Sequence, residues 1–132
     1  MKDSISVVLP NYNGRNLLQK NLPSLIEALG DFDNEIIVVD DGSTDHTTEV
    51  LDRYRGAIIA IQQSSQGPSA ARNAGLRASR ADLVVFLDSD DTLTPDSIQL
   101  RATCLEQVSS IDVVYGDIMA VTGEGDEIGS FT

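Results

Sequence analysis

Three carboxylates fall within four positions directly after an apolar run in VVFLDSDDT, residues 84–92. In an extended segment alternate side chains point the same way, so Asp88 and Asp90 share a face and Ser89 points away. Two carboxylates on one face repel each other unless a cation lies between or beside them. Carboxylate and phosphate oxygens are the ligands that hard divalent ions prefer. The cluster therefore predicts a Mg²⁺ or Mn²⁺ site at Asp88 and Asp90, whereas Asp91, and with it Asp88, has the alternative role of capping the following turn.

Polar loops also follow the three earlier apolar runs of the chain. They read PNYNG at 10–14, DDGSTD at 40–45 and SSQGPSAARN at 64–73. The four runs are short, rich in β-branched residues and nearly continuous, which is typical of strands buried on both faces of a parallel sheet. Because ligands bind beyond the carboxyl ends of such strands, we expect the four loops to meet at one edge of the sheet.

Two of these loops carry charged residues suited to a nucleotide. A carboxylate accepts the ring N–H of a nucleobase, so Asp40 and Asp41 are candidates for recognising the base. The alternative for Asp41 is a turn that leads through Gly42 into the next helix. Arg72 has a fork of donors that would offset an anionic ligand. Its alternative is an exposed arginine on a helix surface.

The elements that position these loops follow from the apolar periodicity. Short runs alternate with helical patterns, which predicts an α/β fold with a doubly wound, mostly parallel sheet and helices on both faces. We expect an interruption of the first helix at Pro23 and an N-cap at Ser43 or Thr44 for the second. The predicted strands are 4–10, 35–40, 57–62, 82–88 and 112–118, and the predicted helices are about 14–29, 44–55, 68–79 and one that Thr94 caps.

Composition limits the partners of the chain. Twenty-one acidic residues against nine basic ones give a net charge of −12, which argues against nucleic-acid binding. No apolar run approaches the roughly 18 residues of a membrane span. The single cysteine, Cys104, excludes an internal disulfide, and the single histidine, His46, lies in a polar run where we expect it to be solvated. We therefore expect a cytoplasmic protein, and association with the inner face of the membrane stays open for a longer form.

The length of the chain fits one domain spanning residues 1–132. The tail VTGEGDEIGSFT has a hairpin-like pattern and stops at residues that resemble the middle of a strand. We therefore expect that the chain is truncated before an acceptor-binding half.

Three protein families that place acids after a parallel strand or bind nucleotides on such a sheet do not fit the whole chain. The segment 88–92 resembles the D-x-D-G-T loop of haloacid-dehalogenase-like phosphatases, and paired acids resemble the receiver domains of response regulators. Both families need a lysine after the acids, and this chain has none beyond Lys20. The phosphatase loop also has glycine where Asp91 stands. A dinucleotide-binding domain would need G-x-G-x-x-G after the first strand, and that motif is absent.

All four loops, in order, resemble the N-terminal nucleotide-binding part of a family 2 glycosyltransferase with the GT-A fold. The resemblance covers about residues 4–118. Its motifs are SVVLPNYNG at 6–14, IIVVDDGSTD at 36–45, QGPSAARNAGL at 66–76 and VVFLDSDDTLTP at 84–95.

The resemblance implies a role for particular residues. Asp88 and Asp90 match the D-x-D motif, whose last aspartate is typically the direct ligand of Mg²⁺ or Mn²⁺. One or both of Asp40 and Asp41 would bind the base, usually uracil. The implied nucleotide-binding residues are Pro10, Tyr12, Asp40, Asp41, Gly67, Arg72 and Asn73.

The resemblance also implies a reaction. An acceptor hydroxyl would attack C1 of the donor sugar with inversion, a carboxylate would take its proton, and the metal would stabilise the departing nucleoside diphosphate. The donor is expected to be a UDP-sugar and the acceptor a carbohydrate or a lipid-linked sugar. No residue here is convincing as the base: Asp117 is a conceivable polar contributor, but nothing in its spacing makes it the base. We therefore expect the chain alone to bind nucleotide weakly or not at all and to transfer no sugar. A non-catalytic nucleotide-binding module is the alternative, and association into homo-oligomers stays open.

Overall fold

The computed structural model describes residues 4–30 and 32–131. The chain divides into two compact units, residues 1–94 and residues 95–132. In chain order the elements are β1 (Ile5–Asn11), α1 (Arg15–Ala28), β2 (Asn34–Asp41), α2 (Thr47–Arg53), β3 (Ile59–Gln63), α3 (Pro68–Ala78), β4 (Leu83–Phe86), α4 (Ser97–Gln107), β5 (Ile118–Val121) and β6 (Glu127–Phe131).

The first unit is built on a four-stranded sheet with the order β3-β2-β1-β4. All three pairings are parallel, and β1 is hydrogen-bonded on both sides, to β2 and to β4. The two central strands are buried along most of their length, which explains why their sequences are apolar without alternation. The predicted α/β fold with a parallel sheet is confirmed.

Helices cover both faces of this sheet. Right-handed crossovers place α1 and α2 on one face and α3 on the other, because the strand order reverses direction after β3. On the α3 face, Val8, Ile37 and Val39 pack with Ala71 of the helix. The alternate side chains of the two central strands form the buried opposite face, and they are Val7, Leu9, Ile36 and Val38.

The helix α3 lies close to the sheet because its inner face carries small residues. Ala71 is fully buried, and Gly75 is buried one turn further along. A Cβ atom added at Gly75 would overlap Cγ1 of Val8 and lie 3.3 Å from Cγ2 of Val39. The close approach of α3 therefore depends on the missing side chain.

The interior of α1 and the start of α2 both differ from the prediction. The helix α1 runs unbroken through Pro23, and both Leu22 before the proline and Leu29 directly after the helix are buried. The helix α2 begins at Thr47, with His46 as N-cap in the left-handed region. The expected caps Ser43 and Thr44 were both wrong, because their hydroxyls bind elsewhere: Oγ of Ser43 donates to Oδ1 of Asp40, and Oγ1 of Thr44 donates to Oδ1 of Asn13 at 3.4 Å.

The second unit contains α4 and a hairpin of β5 and β6. The pairing is antiparallel, and Gly125 (φ +96°) lies in the turn, where its N–H donates to the carbonyl of Thr122. The hairpin pattern of the tail is thus confirmed. None of the helices within residues 4–30 and 32–131 is long and apolar enough to cross a bilayer.

Two expectations for the second unit were wrong. The helix α4 starts at Ser97 after Asp96, two residues later than Thr94 as N-cap would require. Residues 112–117 form no strand, and Tyr115 within them is 88% exposed. An apolar run supplies the side chains of a strand but not its partner, and the pairing here begins only at Ile118.

Replacing Gly75 with alanine should destabilise the protein by about 1–3 kcal/mol, because the overlap with Val8 outweighs the higher helix propensity of alanine. Urea unfolding followed by circular dichroism measures the change. Gly56→Ala is the matched control, since no atom lies within 4 Å of a Cβ built there, and its change should stay within about 0.5 kcal/mol. Equal stability of the two variants would contradict the packing argument.

Candidate functional site

The candidate site lies at the carboxyl edge of the parallel sheet. The strand order reverses between β1 and β4, which makes the crevice between their ends the usual ligand position in an open α/β sheet. The loops after β1 and β4 flank this crevice. The loops after β2 and β3 reach the same edge, because all four strands run in one direction.

Neutral hydrogen bonds join the loop after β1 to the loop after β2. The backbone N–H of Asn13 donates to Oγ of Ser43 at 2.8 Å, and Oδ1 of Asn13 accepts from the N–H of Thr44 at 2.7 Å. Asn13 has a φ of 51°, a left-handed conformation that asparagine tolerates better than most residues. Nearby, Asp45 accepts the N–H of Arg15 at 2.9 Å and so binds the first turn of α1.

Asp40 is held from within the protein at one of its two oxygens. Oδ1 of this buried carboxylate accepts from Nδ2 of Asn11 at 3.2 Å and from Oγ of Ser43. Within the described residues, no group donates to Oδ2. Asn11 is itself only 2% exposed, and its own Oδ1 has no hydrogen-bond partner within the same residues. The arrangement fixes Asp40 and leaves one of its acceptor oxygens for another molecule.

Asp41 makes a different set of contacts. Its Oδ1 accepts from Nε2 of Gln63 at 2.9 Å and from the N–H of Gln66 at 2.8 Å, and its Oδ2 accepts from the N–H of Gly67 at 2.9 Å. These bonds, led by the one from Gln63, lower the pKa of Asp41 against the opposing effect of burial. Gly67 has a φ of +95°, so the loop that Asp41 binds needs glycine there.

Strand geometry explains why these neighbours differ. Successive side chains of a strand point to opposite faces. Asp41 follows Val39 on the α3 face and reaches the loop that begins α3, whereas Asp40 lies on the face of α1 and α2 with Asn11.

The loop after β4 brings three carboxylates together. Oxygens of Asp88, Asp90 and Asp91 all lie within 4.8 Å of one another. Burial raises the pKa of Asp91, and the charges of Asp90 and Asp88 raise it further. The segment is held by Asn21 of α1, whose Nδ2 donates to the carbonyl of Ser89 at 2.9 Å. Three hard oxygen donors that repel one another fit a divalent cation.

The sequence predicted that Asp88 and Asp90 would lie together, but it did not predict that Asp91 would join them. Asp88 and Asp90 are brought together as expected, and Asp91 joins them although its expected role was to cap a turn. The turn itself is present, since the N–H of Asp91 donates to the carbonyl of Asp88 at 3.0 Å. This bond uses backbone atoms only, so it leaves the carboxylates of Asp88 and Asp91 in the cluster.

Arg72 lies beside this cluster. Its Nη2 is 2.9 Å from Oδ1 of Asp88, and the side chains are 36% and 45% exposed respectively. Arg72 and the exposed Asn73 belong to α3, as expected from the predicted helix at about 68–79. The contact links α3 to the loop after β4.

Two further predicted residues lie at the end of β1. Pro10 is the penultimate residue of β1 and half-buried, and Tyr12 follows the strand with an exposed ring. Asp117 lies in the other compact unit. Sequence reasoning missed Asn11, and the signal for it was an amide inside a strand end whose neighbours are buried.

Comparison with known proteins places the chain in a class. It resembles crystal structures of GT-A glycosyltransferases, including TarS (residues 1–349) of S. aureus bound to UDP-GlcNAc. The TM-score is 0.68 and the identity 31%, over 79% of this chain and 31% of that one. Glucosyl-3-phosphoglycerate synthase of Mycobacterium tuberculosis, solved with Mn²⁺, UDP and glucosyl-3-phosphoglycerate, matches with a TM-score of 0.59 and 29% identity, over 78% of this chain and 39% of that one.

The sequence comparison identifies the family. The profile of glycosyl transferase family 2 matches residues 6–130, so the chain belongs to that family and the resemblance of its four motifs is confirmed. A curated relative, the poly(ribitol-phosphate) beta-glucosyltransferase of Bacillus spizizenii, is 32% identical over 127 residues. That match covers 92% of this chain but only 20% of the relative.

Replacing Asp41 with asparagine should lower the urea midpoint at pH 7, because an amide cannot accept all three donors of the loop at 63–67. The pKa of Asp41 is lowered on folding, so its stabilisation is present above the ordinary carboxyl pKa of about 3.9 and is lost as the pH falls through the folded value. The difference between parent and variant should therefore shrink from pH 7 to pH 3. Asp52→Asn, which removes a carboxylate bound only to exposed Arg55, serves as the control. A difference that grows on acidification would refute this account.

Proposed function

We propose that this chain is the nucleotide-sugar-binding part of an inverting, metal-dependent glycosyltransferase that moves a sugar from a UDP-sugar to an acceptor hydroxyl. The observation that carries the proposal is the junction of four loops at one sheet edge, with a carboxylate acceptor at one end and three clustered carboxylates at the other. A base and a metal-bound diphosphate need these two kinds of group.

Asp40 is the residue we assign to the base. It is buried and fixed by Asn11 and Ser43, and its Oδ2 has no donor within the described residues. Such an oxygen is suited to the N3–H of uracil. Asp41 would contribute by holding Gln66 and Gly67, and thereby the loop that approaches the nucleotide. TarS and the mycobacterial synthase were both solved with UDP, which supports uracil as the base.

Asp90 and Asp88 are the residues we assign to a Mg²⁺ or Mn²⁺ ion, and Asp91 is close enough to assist. The synthase solved with Mn²⁺ supports a divalent cation as the partner of these carboxylates. When bound, the ion would supply positive charge that stabilises the departing diphosphate. The chain itself contributes the orientation of its carboxylates, through the turn at 88–91 and the bond from Asn21.

The other loop residues surround the space between base and metal. Tyr12 offers an exposed ring after β1, on which a base or ribose could pack, and Pro10 stiffens the end of that strand. Gly67 and Asn73 belong to the segment that Asp41 and α3 position. Arg72 would offset the charge of the diphosphate.

We assign the catalytic base to a region outside this chain, which covers only 20% of the length of the Bacillus spizizenii relative. In an inverting reaction a carboxylate must take the proton of the acceptor hydroxyl on the side opposite the leaving group. The described residues at the sheet edge serve the leaving group instead. We propose that the full-length enzyme acts in the cytoplasm on a carbohydrate or lipid-linked acceptor. Two relatives are named as poly(ribitol-phosphate) glycosyltransferases, which supports a polymer as the acceptor.

A non-catalytic nucleotide-binding module is the second candidate function. It would keep Asp40 for the base but would not need three carboxylates at mutual repulsion. Metal dependence of nucleotide binding therefore separates the two candidates.

Asp90→Asn should weaken Mn²⁺-dependent binding of UDP by at least about tenfold, since it removes one charged oxygen from the cluster. Calorimetric titration of UDP with and without Mn²⁺ measures the effect, and because binding is expected to be weak, millimolar UDP is needed. Asp126→Asn, an exposed carboxylate of the β5–β6 hairpin, is the matched control and should bind as the parent does. Parent binding that does not depend on Mn²⁺ would favour the module.

Asp40→Asn should reverse the preference for the base. Asparagine can keep its oxygen towards Asn11 and Ser43 while its amide replaces Oδ2, so a donor would face the base. Affinity for UDP should fall by about tenfold or more, and CDP, whose ring nitrogen N3 is an acceptor, should lose less or gain. Competition between UDP and CDP in the same titration measures the ratio. An unchanged ratio would place base recognition elsewhere.

A further inference from the structure

The guanidinium of Arg72 occupies one of the carboxylates that would hold the cation. Its Nη2 lies 2.9 Å from Oδ1 of Asp88, within the distance of a charge-assisted hydrogen bond. Within the described residues, neither Asp90 nor Asp91 has a cationic partner. The positive charge of Arg72 therefore meets the cluster at a single point.

This contact opposes the entry of a metal ion by itself. A divalent ion that uses Oδ1 of Asp88 must displace the guanidinium, and an ion on Asp90 and Asp91 would still have a fixed positive charge nearby. The ion pair is about 40% exposed, so it is weak enough to exchange.

A diphosphate changes the balance because it offers Arg72 another partner. Guanidinium groups bind phosphate oxygens in the same forked geometry that they use for carboxylates. The arginine can then leave Asp88 without losing a counter-ion, and the released carboxylate oxygen becomes available to the cation.

We propose that Arg72 is a competitor of the cation at Asp88 and that it moves to the diphosphate when metal and nucleotide bind together. The free ion then binds weakly, whereas the metal–nucleoside diphosphate pair binds tightly, so the site selects the pair over either component. By linkage, the metal strengthens nucleotide binding by the same factor as the nucleotide strengthens metal binding. This inference rests on the proposed function, since it requires a diphosphate and a cation at this edge.

Arg72→Gln separates this role from a purely supporting one because the two ligands should respond in opposite directions. Without nucleotide, electron paramagnetic resonance of free Mn²⁺ should show about two- to fivefold tighter binding of Mn²⁺ by the variant, the range expected for loss of an exposed ion pair. With Mn²⁺ present, calorimetry should show at least about threefold weaker binding of UDP by the variant. The factor by which UDP strengthens Mn²⁺ binding should fall accordingly.

Arg77→Gln is the matched control, since it removes the same charge from the last turn of the same helix. It should leave both affinities close to those of the parent, and thermal melting checks that both variants fold. Weaker or unchanged Mn²⁺ binding by Arg72→Gln would overturn the inference, even if UDP binding falls. If parent UDP binding still depends on Mn²⁺ and on Asp90 in that case, the proposed function stands alone; if the parent binds neither ligand, both proposals fail.

Discussion

The parallel pairing of β1 with β2 on one side and β4 on the other is the constraint on which the rest of this structure depends. In this register Asn11 lies opposite Asp40, so a buried amide and a buried carboxylate meet where two strands end. The strand β1 also fixes the position of β4, and the acidic cluster begins two residues after β4 ends. A shift by one residue would turn Val7 and Val8 to the wrong faces and separate these groups at the same time.

Neutral groups stabilise most of the acidic side chains at the sheet edge. Amide and hydroxyl donors surround Asp40, and backbone N–H groups surround Asp41 and Asp45. A chain with a net charge of −12 thus supplies these carboxylates with hydrogen-bond donors without using its few arginine side chains. The cluster at 88–91 is the exception, because its partners are one guanidinium and its own repelling neighbours. Binding of an external cation would therefore relieve the mutual repulsion of the carboxylates in this cluster.

Much of this could be predicted from the sequence, for reasons that differ between elements. The parallel sheet followed from runs such as EIIVVD, whose burial on both faces removes the alternation of an exposed strand. The pairing of Asp88 with Asp90 followed from their spacing. The contacts of Asn11 and Asn13 could not be predicted, because a hydrogen bond between distant loops leaves no local pattern. The predicted N-cap Thr44 of α2 failed for the same reason, since its hydroxyl donates to Asn13 of the loop after β1. Residues 112–117 were wrongly predicted as a strand, because a strand also needs a pairing partner and the apolar pattern of one segment does not show whether a partner exists.

The opposite orientation of Asp40 and Asp41 at the end of β2 has a consequence for how such an edge diversifies. One residue is bonded to the loop after β1, and the next is bonded to the loop before α3. Substitutions that change the contacts of Asp40 can therefore accumulate without weakening those of Asp41, although the two residues are adjacent in the sequence. A combinatorial library that varies positions 11, 40 and 43 while keeping 41, 66 and 67 constant would sample new ligand chemistries on an intact scaffold. In laboratory or natural evolution, substitutions that change specificity would therefore group by the face of the strand on which they lie and not by their proximity in the sequence.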